Sequence, residues 1–211
     1  MIDLDNQDSK RTRRLISKLN KIRHTQDRKI DILCNDMISA HRDFVKQLSS
    51  LNFTVDFYES ILGQNDLGGL LNTAAERIKE YVADCNVAIF LLESEGFELH
   101  IVDQEYPIDI DADSLESYFT PEVVRNICRS NRVNSLKDMF EMGLVGNVSD
   151  LSRISAAAVP LGRFGSGIGF ILIYRGAGKP LGCNDLEKLT TIQSGLCKTI
   201  ESCQALTHRD G

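Results

Sequence analysis

No proline occurs before Pro107 and no glycine before Gly63 in this chain. The two residues that interrupt helices most effectively are missing from the first sixty positions, so nothing there forces a break. Long apolar runs are missing too. The longest, Val87 to Leu92, is strand-sized and falls far short of the roughly 20 apolar residues that a membrane span requires. The six cysteines (Cys34, Cys85, Cys128, Cys183, Cys197 and Cys203) include no CxxC pair, and no apolar run follows the acidic, then basic, N-terminus as it would in a secretory signal. A reducing, cytoplasmic setting without a membrane span is expected. A basic excess is also absent. The formal charge of −6 argues against a general nucleic-acid binder, which needs cations to displace counterions from phosphates.

Hydrophobic residues make up 42% of the chain and charged residues 26%, the balance of a soluble protein with a real core. The charge is uneven. Residues 1–30 carry nine Lys or Arg (Lys10, Arg11, Arg13, Arg14, Lys18, Lys21, Arg23, Arg28, Lys29) against four Asp. Such a basic helical end can touch anionic lipid, nucleic acid or an acidic partner, or simply form a solvated face.

In steps of three and four from Ile16 the chain reads Ile16, Leu19, Arg23, Gln26, Ile30, Leu33, Met37, Ala40, Phe44, Gln47, Leu51, Thr54, Tyr58 and Ile61. This is a heptad repeat with mostly apolar a and d positions. A helix from about residue 8 to 62, stopped by Gly63, would be roughly 80 Å long. A stripe of that length exceeds what one ordinary domain covers, so a homodimer through residues 16–61 is expected, with Ile30, Leu33, Met37, Ala40, Phe44 and Leu51 in the seam. Arg23, Gln26 and Gln47 are weak layers that cost stability while fixing register. The alternative is an αα-hairpin folded back on the domain's own helices.

Beyond Gly63, Asn65 or Asp66 caps a helix whose apolar face is Leu67, Leu70, Leu71, Ala74, Ala75, Ile78, Tyr81 and Val82. Asn86–Leu92 and Glu98–Val102 read as one β-hairpin, and Ser155–Leu161 with Ile168–Tyr174 as another. Between them, Thr120-Pro121 starts a short helix ending near Asn131, with Val123, Val124, Ile127 and Cys128 on one face. Asn134–Asp150 reads as a mobile cover bringing Met139, Phe140, Met142, Leu144 and Val145 to a pocket, rather than as a regular element. A terminal helix begins at Asn184 with Glu187 in capping-box spacing and carries Leu186, Leu189, Ile192, Leu196, Ile200 and Cys203 on one stripe. Three parts follow: the long N-terminal helix over 1–62, an α+β domain with helices packed on an antiparallel sheet over 63–206, and a disordered tail over 207–211.

The segments Leu67–Leu92, Ala156–Tyr174 and Lys179–Cys203 resemble a GAF domain, most specifically in Val159-Pro160-Leu161, the glycine turn, Ile168-Gly169 and the acidic-capped last helix. The N-terminal helix resembles the signalling helices that precede such domains. The resemblance implies a six-stranded antiparallel sheet with helices behind it and a small-molecule pocket on the opposite face. It implies no particular ligand, because GAF domains bind cyclic nucleotides, bilins, haem, metals, small metabolites or nothing, and the cofactor stays unknown. The Asn-Lys-Phe-Asp-Glu signature of cyclic-nucleotide members is absent, and Cys128 is followed by Arg129 rather than the His or Tyr common in bilin-binding members. Pocket candidates are Phe119, Cys128, Met139, Phe140, Met142 and Arg163.

The enzymatic branch, the free methionine-R-sulfoxide reductases, uses cysteine thiolates on pocket loops. Here the middle insert offers only Cys128, while nucleophile and resolving cysteines must approach each other to close a disulfide. Gly162–Gly169 is followed by a strand and not by the helix a phosphate loop needs, and Pro180 replaces the Ser or Thr expected after Gly178-Lys179. Asp109, Asp111 and Asp113 alternate with Ile108, Ile110 and Ala112, which suits an exposed strand or loop edge better than a metal cage. His24, His41, His100 and His208 are dispersed. No catalytic set and no metal site is expected. The reading is a sensing or regulatory module whose ligand alters the paired helices, read in turn by a separately expressed signalling partner such as a kinase or cyclase. Its alternatives are an adaptor with a collapsed pocket and a thiol reductase.

Overall fold

The computed structural model describes residues 3–94, 96–102, 117–146, 151–163 and 166–207. Helix α1 runs Asp3–Ile61 without interruption, as the lack of Pro and Gly permits. Gly63 stops it with φ +87, a left-handed conformation that L side chains avoid. The chain divides into two compact units within this helix, Met1–Ser50 and Leu51–Gly211. In the first unit every described side chain from Arg11 to Leu48 is exposed.

The second unit starts with the last turns of α1. Here Phe53, Phe57 and Ile61 recur every four residues and are buried. The seam read from Ile16 to Ile61 is therefore corrected at its C-terminal end. Ile61 faces its own domain's core, and Phe53 and Phe57, which the heptad leaves off the seam, are the residues beside it. Helix α2 (Leu67–Tyr81) is capped by Asp66, whose carboxylate accepts the Gly69 N–H at 2.7 Å. Phe53 packs against Tyr81 with ring centroids 3.9 Å apart and the rings tilted by 38°.

Strands β1 (Asn86–Leu92), β2 (Phe97–Ile101), β3 (Asn134–Ser135), β4 (Ile154–Arg163) and β5 (Ser166–Gly176) form an antiparallel sheet ordered β2-β1-β5-β4-β3. Five strands thus stand among the described residues, where the family resemblance implied six. Both expected hairpins are present: Leu92 pairs with Phe97 at one turn and Arg163 with Ser166 at the other. The central strands are buried on both faces, which is why they read as continuous apolar runs instead of alternating ones. Val87, Ile89, Leu91, Ile171 and Ile173 face α2, the last turns of α1 and helix α5 (Cys183–Thr207). Ala88, Phe90, Phe170, Leu172 and Tyr174 face helices α3 (Pro121–Arg129) and α4 (Leu136–Glu141). Gly169 permits the tight β1–β5 contact, since a Cβ there would lie 2.0 Å from the Phe90 carbonyl oxygen.

Two local expectations are corrected. The segment from Asn134 is not irregular: it forms β3 and then α4, closed by a capping box in which Ser135 Oγ accepts the Asp138 N–H and Asp138 Oδ2 accepts the Ser135 N–H at 2.8 Å. The spacing Ser-x-x-Asp carried that signal, although the helix is too short for its apolar period to show. The terminal helix starts at Cys183 rather than being capped by Asn184, and Asp185 satisfies the free Gly182 N–H at 3.1 Å. Asp109, Asp111, Asp113 and residues 208–211 lie outside the described residues.

Candidate functional site

The face under α3 and α4 is where pocket residues were expected. Thr120 and Pro121 start α3, with Thr120 Oγ1 accepting the Val123 N–H at 3.3 Å, and this phasing turns Val123, Val124, Ile127 and Cys128 onto the sheet. Sequence order alone did not reveal what they meet. Register places Phe90 opposite Phe170, and the two rings stack 4.5 Å apart with an interplanar angle of 11°. Phe119 closes on both, 4.7 Å from Phe90 and 5.7 Å from Phe170, and Phe97 approaches Phe90 at 5.4 Å. Such offset and tilted contacts add about 0.5–1.5 kcal/mol per pair beyond the area they bury.

Of the pocket candidates, Phe119, Cys128 and Met139 are brought together in this cluster and are buried, while Phe140 and Met142 are half-buried at its border. Arg163 ends β4, and its side chain lies outside the described residues. Sequence reasoning missed Phe90, Phe170 and Tyr174, the centre of the cluster. Their signal was present only as every second residue of two runs in which all residues are apolar.

Cys128 is pressed from the far side by β5. A Cβ on Gly167 would stand 2.6 Å from Cys128 Cβ and 2.9 Å from its carbonyl oxygen. Burial pushes the Cys128 thiol up to about 12, so at neutral pH it is protonated and a poor nucleophile. No other cysteine belongs to this cluster: Cys85 and Cys203 pack on the opposite face of the sheet, Cys197 is buried on α5 with its Sγ donating to Glu201 Oε1 at 3.8 Å, and Cys34 and Cys183 are exposed. Burial likewise pushes Cys85 up to about 11, the Arg175 and Lys79 charges acting against it. Among the described residues no three His, Cys, Asp or Glu side chains gather as metal ligands.

On the opposite side, α1 and α5 approach closely at Gly195, where a Cβ would fall 2.2 Å from the Tyr58 ring, and Thr54 and Thr191 hydroxyls meet at 3.1 Å. Arg175 ties three segments by donating to Ala83 O at 3.0 Å, Pro180 O at 2.7 Å and Asp185 Oδ2 at 3.2 Å. It is a structural clamp rather than a free cation.

The seam candidates on α1 are all solvent-facing. Ile30, Leu33, Met37, Phe44 and Leu51 are more than half exposed, Met37 to 73%, and Ala40 is exposed as well. No helix among the described residues is long and apolar enough to cross a membrane.

No protein-family model matches the chain, and no curated protein matches its sequence. Solved structures match its fold. The GAF domain of the phosphoenolpyruvate-protein phosphotransferase from Coxiella burnetii superposes with TM-score 0.58 at 13% identity, covering 76% of this chain and 98% of that one. The corresponding domain from Acinetobacter gives 0.56 at 13% identity, over the same shares of the two chains. The free methionine-R-sulfoxide reductase of Neisseria meningitidis, solved with its substrate, gives 0.52 at 17% identity over 74% of this chain and 91% of that one. The chain therefore has the GAF fold, α+β with an antiparallel sheet between helices, carried behind a long N-terminal helix.

Proposed function

We propose that this chain is a non-catalytic regulatory module, dimeric through α1, in which a small molecule taken up at the α3–α4 face changes how the paired helices pack. The observation that carries the reading is the unpartnered apolar seam: Ile30, Leu33, Met37, Phe44 and Leu51 face water on a helix that elsewhere buries Phe53, Phe57 and Ile61. Apolar area left exposed on this scale marks an interaction site. A relay additionally needs a ligand that binds two helix arrangements with different affinity. The face itself is lined by Phe119, Met139, Phe140 and Met142, which suits an apolar or aromatic metabolite. In this reading the module works in the cytoplasm and a separate signalling protein reads the dimer; the fold it shares with GAF domains of phosphoenolpyruvate-protein phosphotransferases is compatible with a regulatory role.

A second reading has its own support. The Phe90–Phe170 stack and the contact of Gly167 with Cys128 fill the described part of the face, as they would in an adaptor whose pocket has collapsed. Light scattering at micromolar concentration tests the dimer, and a single-chain mass rejects it. A thermal-shift screen of nucleotides and metabolites, followed by native mass spectrometry of any hit, separates sensor from adaptor. One stabilising ligand whose effect is lost in Met139→Gln establishes the sensor, and a uniformly silent screen favours the adaptor.

A further inference from the structure

Leu15, Leu33 and Leu51 stand eighteen residues apart along α1, and so do Leu19, Met37 and Val55. Ile22 with Ala40, Gln26 with Phe44 and Ile30 with Leu48 fill the intervals, again at a separation of eighteen. Eighteen residues make five turns of an α-helix at 3.6 residues per turn, so these positions keep to one arc, about 80° wide, from Leu15 to Val55. Gln26 is the one polar residue on it. The heptad from Ile16 coincides with this arc only in the middle of the helix. A straight helix drifts by about 20° per heptad from a seven-residue repeat. Toward its ends the heptad therefore admits Arg23, Gln47 and Thr54, and also Ile61, which is buried in its own domain. The arc leaves all four out and takes in Leu15, Ile22, Leu48 and Val55.

The large apolar side chains of the arc are all exposed, from 46% at Val55 to 73% at Met37. Covering them removes roughly 50–100 Å² of apolar surface apiece. Over two chains that is about 1,000–2,000 Å², the range of a stable specific interface. So narrow an arc, with Lys29 and Asp36 on one flank and Arg23 and His41 on the other, suits a second helix rather than a lipid surface. We infer that α1 joins a second copy of this chain as a parallel, in-register and essentially straight pair, held along the eighteen-residue stripe and not along a supercoiled heptad; the inference rests on the dimeric reading above.

The polar residue decides the direction. In a parallel pair Gln26 faces the partner's Gln26, and each amide can both donate to and accept from the other. The single polar layer is thereby satisfied and fixes the register. An antiparallel pair covering the same stripe has its axis at Asn35 and sets Gln26 against the partner's Phe44, which leaves the amide facing a ring. The period decides the shape. A stripe repeating every 3.5 residues must supercoil left-handedly to stay covered, whereas one repeating every 3.6 stays face to face between straight helices. Parallel pairing also lays residues 11–30, with eight Lys or Arg against one Asp, beside the same residues of the partner. That repulsion opposes the pair, and because the side chains are exposed, salt screens it.

The test uses the full chain, with the mass by light scattering as first readout and helix content by circular dichroism as the control on every variant. Cys34→Ser with Cys183→Ser removes the two exposed thiols. In that background Leu15→Cys should link to itself on oxidation by diamide, and its neighbour Ile16→Cys should not. Val55→Asp should weaken the dimer by about tenfold or more, whereas Gln47→Leu, at the rim, should leave the dissociation constant within about twofold. Raising salt from about 50 to about 500 mM should tighten the dimer, because screening removes a repulsion. A dimer in which Ile16→Cys links and Gln47→Leu tightens several-fold is held by the heptad instead. One that salt loosens, or in which Leu15→Cys fails to link, is not the parallel straight pair. Either result overturns the inference and leaves the dimeric reading standing, and a monomeric mass removes both.

Discussion

The two stretches of α1 obey one helical period and meet opposite fates. Up to Ser50 the apolar residues Ile30, Leu33, Met37 and Phe44 face solvent, whereas from Leu51 onward Phe53, Phe57 and Ile61 are sealed under α2 and α5. Period alone states which side chains line up along a helix. What covers them depends on partners that are distant in sequence or on another chain. Near the domain the change of partner is visible within one turn: Leu51 is exposed and Phe53 is 2% exposed.

The contrast yields four expectations of decreasing size. Phe57→Ala should destabilise the domain by about 3–5 kcal/mol, the cost of removing a buried aromatic side chain and leaving a cavity, measured by urea unfolding. Gly195→Ala should cost about 1–3 kcal/mol by driving a methyl into the Tyr58 ring, as overpacking does. Combined with Tyr58→Ala it should be markedly less harmful than the sum of the two, a coupling that a double-mutant cycle reads directly. Leu33→Asp with Met37→Asp should abolish the dimer yet change the domain's own unfolding by no more than about 0.5 kcal/mol, as exposed substitutions do; a large loss of domain stability would show that these residues are covered within the chain. The smallest effect concerns α4. The Ser135 hydroxyl and N–H hold the Asp138 carboxyl below its ordinary range, with Arg132 and Lys137 adding to this. Because the folded value is the lower one, the cap's contribution is present above the unfolded carboxylate range and fades as pH falls through the folded value. Protection of the α4 amides, taken relative to the intrinsic exchange rate, should fall in that acid window, and Ser135→Ala, which removes the hydroxyl and keeps the backbone N–H, should weaken the dependence.

Much of the fold was legible from residues. Missing breakers marked α1, Asp66 and Thr120 marked two helix starts, and apolar runs with glycine turns marked both hairpins. The last of these succeeded because strands buried on two faces need no alternation to be recognised. The same property hid the site. With every residue of Val87–Leu91 apolar, nothing in the sequence says that Phe90 turns toward α3 while Ile89 turns away, and only the pairing of Phe90 with Phe170 reveals it. Cys128 was legible because it shares one face of α3 with Val123, Val124 and Ile127 behind a recognisable cap, whereas Phe119 and Met139 stood out only as apolar residues beside that helix and in a segment read as irregular. The clamp made by Arg175 was not, since its three acceptors come from separate segments.

Strands β1 and β5 act as a party wall between two rooms. Each contributes Phe90 and Phe170 to one side and Ile89 and Ile171 to the other, through backbone that is hydrogen-bonded in register. In the sensing role proposed above, a guest that wedged the two phenyl rings apart would bow that wall toward the room where Phe57 and Ile61 are lodged. News of an occupant would thus travel by the shape of the partition itself, without any polar relay between the two sides.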